Sequence, residues 1–191
     1  MPRVLIDNPA ADRSAVHHRL HQIFASRQIK PINLNSGARF DLSPQVTAKI
    51  LFPPTGFAAP TADDETLVVQ LLVSPTLRIL LMSDSGYETE NALRASDIDL
   101  HSEILIKGQH HSGKSGSDAF LDAVRPRLII ATSRDFPERE RVTDEWAASV
   151  RARGIKLFRQ DETGAVELHF GAREWKARAY ITGETFRSSS R

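Results

Sequence analysis

The residues best equipped for chemistry sit in one short stretch, Ser102-Glu103-Ile104-Leu105-Ile106-Lys107-Gly108-Gln109-His110-His111-Ser112-Gly113-Lys114-Ser115. Two chemistries can be read from it. In the first, Gly108, Gly113, Lys114 and Ser115 match the nucleotide-binding pattern G-x-x-x-x-G-K-[ST]. There, backbone amides cradle phosphates, the lysine reaches the β/γ oxygens and the hydroxyl holds Mg²⁺. The surroundings speak against this reading. The later apolar run Leu128-Ile129-Ile130-Ala131-Thr132-Ser133 does not end in the acid that should hold Mg²⁺. The chain from Gly116 to Arg191 is also short for the rest of a nucleotide-binding sheet.

In the second reading the same loop belongs to a metal site. His110 and His111 follow one apolar strand, and Asp84 ends another, Leu80-Leu81-Met82-Ser83-Asp84. Neutral imidazole and carboxylate are ligand types for a Zn²⁺ or Mn²⁺ hydrolase. In such a site the metal lowers the pKa of bound water far enough to give hydroxide at neutral pH. An aspartate after a strand is more commonly a turn or cap residue, and adjacent histidines in a polar loop are more commonly solvated. Spacing alone therefore leaves the choice open. His17 and His21, at i and i+4, could add two ligands, but the pattern reads more simply as solvated residues flanking an apolar stripe.

The elements that must position these residues follow from periodicity. Val4 to Ile6 reads as a short strand. Val16, Leu20, Ile23 and Phe24 form a helical stripe with Ser14 as its cap. Phe40 to Leu42 and Val46 to Phe52 read as strands, and 55–65 as a loop holding two aspartates. Leu67 to Val73 and Leu77 to Met82 read as a hairpin of largely buried strands, followed by a helix from Tyr87 to Arg94. Ile104 to Ile106, a short helix around Phe120 and Val124, and a strand Leu128 to Ala131 come next. A helix marked by Val142, Trp146 and Val150 ends at Gly154. Ile155 to Phe158 and Val166 to Phe170 are expected to pair as a hairpin, with 187–191 as a frayed tail. Strands followed by alternating strand and helix predict a mixed α/β sheet covered by helices, in a single domain over 1–191.

Bulk properties narrow the function classes. The 191 residues suffice for one core, and 40% hydrophobic with 26% charged residues is ordinary for a globular protein. A net charge of +1 gives no global field toward nucleic acid or membrane. The absence of cysteine excludes disulfides, thiol nucleophiles and thiolate metal sites. No signal peptide or membrane-spanning run is legible, so the expectation is a soluble chain, cytoplasmic by default.

An ordered series of segments resembles the metallo-β-lactamase-fold domain of ComEC-type competence proteins, mainly its C-terminal half. The series includes Ser36-Gly37-Ala38-Arg39-Phe40-Asp41-Leu42, Leu51-Phe52-Pro53-Pro54, the strand ending at Asp84, and Lys107-Gly108-Gln109-His110-His111-Ser112-Gly113. It continues through Phe120-Leu121-Asp122-Ala123-Val124-Arg125-Pro126-Arg127 and Ala152-Arg153-Gly154-Ile155. The resemblance implies a partial αββα sandwich and, by analogy, a divalent-metal phosphodiester hydrolase acting on DNA. It implies Asp84 as the metal-bridging aspartate. It implies His110 and His111 as the catalytic pair, one a ligand and the other close to substrate.

The departures are informative. The family's His-x-His-x-Asp-His motif is missing, and the nearest stretch, Asn8 to Arg13, keeps only Asp12. Gln109 stands where the family has glycine, and Ser112-Gly113 reverses its glycine-serine. One aspartate and one histidine fall short of the three protein ligands of a catalytic zinc. Three readings follow: a reduced relative with an incomplete site, half of a split enzyme completed by a partner chain, or a nucleotide binder. Arg125, Arg127, Arg134, Arg139 and Arg141 could face DNA, although Glu138 and Glu140 offset them.

Overall fold

The computed structural model describes residues 4–9, 14–59, 61–134, 136–171 and 174–188; Asp12 lies outside them. Strand β1 (Leu5–Asp7) leads to helix α1 (Ala15–Ser26), and the chain returns as β2 (Pro31–Asn33), parallel to β1. Ser14 caps α1, its Oγ accepting from the His17 amide at 3.0 Å. The apolar stripe forms a helix but finds no cover among the described residues. No residue of α1 is buried, and Val16 is 80% exposed.

Strands β3 (Arg39–Ser43), β4 (Val46–Phe52), β5 (Val68–Ser74) and β6 (Leu77–Leu81) form an antiparallel meander. Helices then enter between strands. The order is α2 (Tyr87–Ala95), strand β7 (Ile104–Lys107), α3 (Asp118–Val124), strand β8 (Leu128–Ala131), α4 (Asp144–Ala152) and strand β9 (Lys156–Arg159). A crossover between strands allows parallel pairing, and β6 to β9 are parallel. The result is a seven-stranded mixed sheet ordered β3 to β9. A short turn of helix, α5 (Gln160–Thr163), then leads to β10 (Val166–Phe170), β11 (Trp175–Ala179) and β12 (Thr185–Arg187), an antiparallel three-stranded sheet.

The expected hairpin of 155–158 with 166–170 does not form. Strand β9 pairs with β8 and β10 with β11. Leu157 and Phe158 are both buried, on opposite faces, which requires a strand of the large sheet where that sheet is covered on both sides. Of the expected tail, Arg187 closes β12, and 189–191 lie outside the described residues.

Each parallel strand alternates between two cores. Leu80, Leu105, Ile129 and Leu157 meet Phe120, Val124, Ala147 and Val150 on the helix side. Ile79, Ile104, Leu128 and Phe158 meet Trp175, Ala177 and Ala179 of the second sheet. This helix–sheet–sheet layering, with helices on one face of the large sheet and the smaller sheet on the other, has the layer order expected of a partial αββα sandwich. Among the described residues no helix is long and apolar enough to cross a membrane. Leu105→Ala should destabilise the chain by about 2–5 kcal/mol, whereas Val16→Ala should stay within about 0.5 kcal/mol; urea unfolding followed by circular dichroism checks both.

Candidate functional site

Ligands of open α/β sheets gather beyond the carboxyl ends of parallel strands. The loops leaving β6 and β7 meet there, backbone against backbone. A Cβ on Gly108 would lie 1.4 Å from the Ser83 carbonyl oxygen, so no side chain fits. Ser83 itself adopts a left-handed conformation, φ 50°. A Cβ on Gly86 would lie 2.7 Å from Cδ2 of His110, so the bare backbone there seats the imidazole.

His110 is buried, and both ring nitrogens are engaged. Nδ1 lies 3.1 Å from the Ser112 amide and 2.7 Å from Ser112 Oγ; Nε2 lies 3.2 Å from Asp64 Oδ2. A backbone N–H can only donate, so Nδ1 is an acceptor and the proton of neutral His110 sits on Nε2, donated to Asp64. Asp64 is buried too and also accepts from the Gly86 amide at 2.9 Å, Thr61 Oγ1 at 3.0 Å and Thr89 Oγ1 at 3.2 Å. Burial pushes the Asp64 carboxyl up, but hydrogen bonds from Gly86, Thr61 and His110 outweigh it and hold its pKa below the ordinary value.

His111 is exposed. Its Nδ1 lies 2.8 Å, and its amide 3.0 Å, from Asp63 Oδ2. The two histidine rings stack obliquely, centroids 4.2 Å apart. Asp63, His110 and His111 each offer a ligand atom, all within 4.8 Å of one another.

Asp84 is placed differently from the expectation. It is exposed at the same strand ends, its Oδ1 accepting from the Gln109 amide at 3.3 Å, and it stands outside that group of three. Asp63 and Asp64 were missed as site residues because they lie in a loop, on a 3-10 turn (Asp63–Glu65) before β5. Topology held the signal. Strand β5 is antiparallel to β6, so the chain entering β5 arrives where the chain leaves β6. His17 and His21 are not loosely solvated: both converge on Asp7.

The phosphate-cradle reading of Gly108 to Ser115 meets a physical obstacle. The amides of Gln109, His111, Ser112, Gly113, Lys114, Gly116 and Ser117 all donate within the protein, to Asp84, Asp63, His110, Ser112 and Glu90. Glu90 sits where a phosphate would, at the start of α3. Lys114 is exposed, and the buried Ser115 hydroxyl finds no partner among the described residues. Of the arginines, Arg134 is tied to Glu140 at 3.1 Å.

Under this loop lies a buried cation. Lys107 Nζ donates to the Gly108 carbonyl at 3.2 Å and sits 5.2 Å from the Trp146 ring centre. Burial brings the Lys107 pKa down to about 8, against the pull of the Glu90 charge. Burial raises the Glu90 pKa, although Ser117, the Gly116 amide and Lys107 work the other way.

Over 72 residues the chain is 39% identical to the Competence protein ComA of Neisseria gonorrhoeae. The likeness to a competence protein is thus shown. It covers 38% of this chain and 10% of that much longer protein. No family model matches. Among solved structures, a protein assigned as a metal-dependent hydrolase from Parabacteroides distasonis is similar at 12% identity and a TM-score of 0.48, over 82% of this chain and 63% of that one. Zn²⁺-bound PqqB from Methylobacterium extorquens is similar at 14% identity and a TM-score of 0.47, over 83% of this chain and 63% of that one.

The buried lysine makes stability depend on pH. Between pH 8 and 10.5 the unfolded chain keeps a proton that the folded chain has lost, so folding stability gains as pH rises. Lys107→Met lacks this dependence. Its stability relative to the parent chain should therefore fall by up to about 3 kcal/mol across that interval. Denaturant titrations at the two ends of the interval measure the difference.

Proposed function

We propose that this chain is a competence-related, metallo-β-lactamase-like domain whose site takes one divalent transition metal, of the Zn²⁺ or Mn²⁺ kind, at Asp63, His110 and His111. In this reading it is not an efficient hydrolase by itself. The supporting observation is that these three donors converge while Asp84 stands apart. The donor set fits such an ion, since two imidazoles and a carboxylate are one of the three-ligand sets that hold a catalytic zinc. A bound metal would act as a Lewis acid and lower the pKa of a bound water. The chain's own residues position that centre. In the metal-free chain Ser112 and Asp64 hold His110 and Asp63 holds His111, and the glycines at 86 and 108 let the loops close. With Asp84 outside the group, no bridging carboxylate supports the second metal that would clamp both oxygens of a phosphodiester displacement.

DNA remains the substrate class in this proposal, carried by the resemblance. A second reading, a partner chain that completes the sandwich and supplies further ligands, is favoured by the uncovered apolar stripe of α1. Zn²⁺ and Mn²⁺ titration calorimetry on the purified chain, with a bis-aryl phosphodiester assay, tests the proposal. Asp63→Ala and His111→Ala should each weaken binding by at least about tenfold, and turnover should not exceed that of free metal. Rapid metal-dependent turnover abolished by Asp84→Ala would overturn it.

A further inference from the structure

A second convergence of ligand atoms lies at the opening of the chain, and the site described above makes no use of it. His17 and His21 stand one turn apart on α1, which puts both rings on one face, centroids 4.3 Å apart. Their Nε2 atoms lie 3.2 Å and 2.8 Å from a single acceptor, Oδ2 of Asp7, the last residue of β1. The other carboxylate oxygen, Oδ1, takes the Asn8 amide at 2.8 Å, which turns Oδ2 toward the imidazoles. Asp7 is fixed in place by its own carbonyl, which accepts from the Leu34 amide at 3.0 Å, and His17 by the Ser14 cap on its amide. All three side chains are half-buried.

From this geometry we infer that Asp7, His17 and His21 form a distinct binding site for a Zn²⁺-class cation. Bond lengths of about 2.0–2.1 Å around a tetrahedral ion put neighbouring ligand atoms about 3.3 Å apart. The two distances to Oδ2 are already close to that separation. Two imidazoles and one carboxylate give three protein ligands and leave the fourth position to water.

The role that fits is structural. Helix α1 has 12 residues and buries none of them. A helix of that length is marginal without packing. A metal bridging Asp7 to His17 and His21 would staple the helix to the strand before it, replacing the hydrophobic attachment that α1 lacks. This inference does not depend on metal binding at Asp63, His110 and His111.

Amide hydrogen exchange on the full chain tests it, with Zn²⁺ as the probe and the Asp63→Ala/His111→Ala double variant as background, so that the other group is disabled. At a free Zn²⁺ concentration 100 times the dissociation constant, exchange in 15–26 should slow by up to about 100-fold. The slowing should disappear in His21→Ala and in Asp7→Asn and persist in His18→Ala. Amides of β7 and β8 should stay protected throughout, since no α1 side chain enters the core. No slowing in 15–26, or slowing that survives in either His21→Ala or Asp7→Asn, would overturn the inference.

Discussion

The site depends on a backbone contact that leaves no room for a side chain. Where β6 and β7 end, Gly108 lies against the Ser83 carbonyl so closely that even a methyl group would overlap it. That contact sets the height of both loops. It brings the Asp84 carboxylate to the Gln109 amide and lets the His110 ring lie on the bare face of Gly86. Ser83 accommodates it with a left-handed backbone that glycine would adopt more readily. Parallel pairing of β6 with β7 holds the two loops in register, and the core on both faces of the sheet holds the strands.

On this frame the two adjacent histidines acquire opposite characters. His110 faces inward and is satisfied by Ser112 on one side and Asp64 on the other. Buried polar groups are usually paired, and Asp64 is itself saturated by Gly86, Thr61 and Thr89. His111 faces outward, held only through Nδ1 and its amide by Asp63; its Nε2 has no partner among the described residues. A metal that takes Nε2 of His110 would displace its proton and, with it, the hydrogen bond to Asp64. Ser112 Oγ, 2.7 Å from Nδ1, could accept the proton in the other tautomer, but the Ser112 amide that now donates to Nδ1 would have to turn away.

Much of this was legible beforehand. Near-continuous apolar runs in Leu77 to Met82 and Leu128 to Ala131 announced strands buried on both faces, and the loop holding His110 and His111 stood out by its residue types. Asp63 and Asp64 did not, because acids in a polar loop look the same whether they solvate or converge. Only the antiparallel return of β5 beside β6 gives them meaning. The amides of the glycine-rich loop looked available for phosphate, and only the folded chain commits them to Asp63, Asp84 and Glu90. Periodicity likewise marked α1 as a helix but could not say that its stripe lacks a cover, since burial is decided by what lies opposite.

The account turns on the protonation of one ring. Long-range ¹H–¹⁵N correlation spectra of the histidine side chains, recorded without metal and across a Zn²⁺ titration, read it directly. The metal-free chain should show His110 protonated on Nε2, and saturation with Zn²⁺ should move that proton to Nδ1 while His111 shifts in parallel. Zn²⁺ binding that leaves the His110 ring unchanged, or a metal-free ring already protonated on Nδ1, would contradict the account.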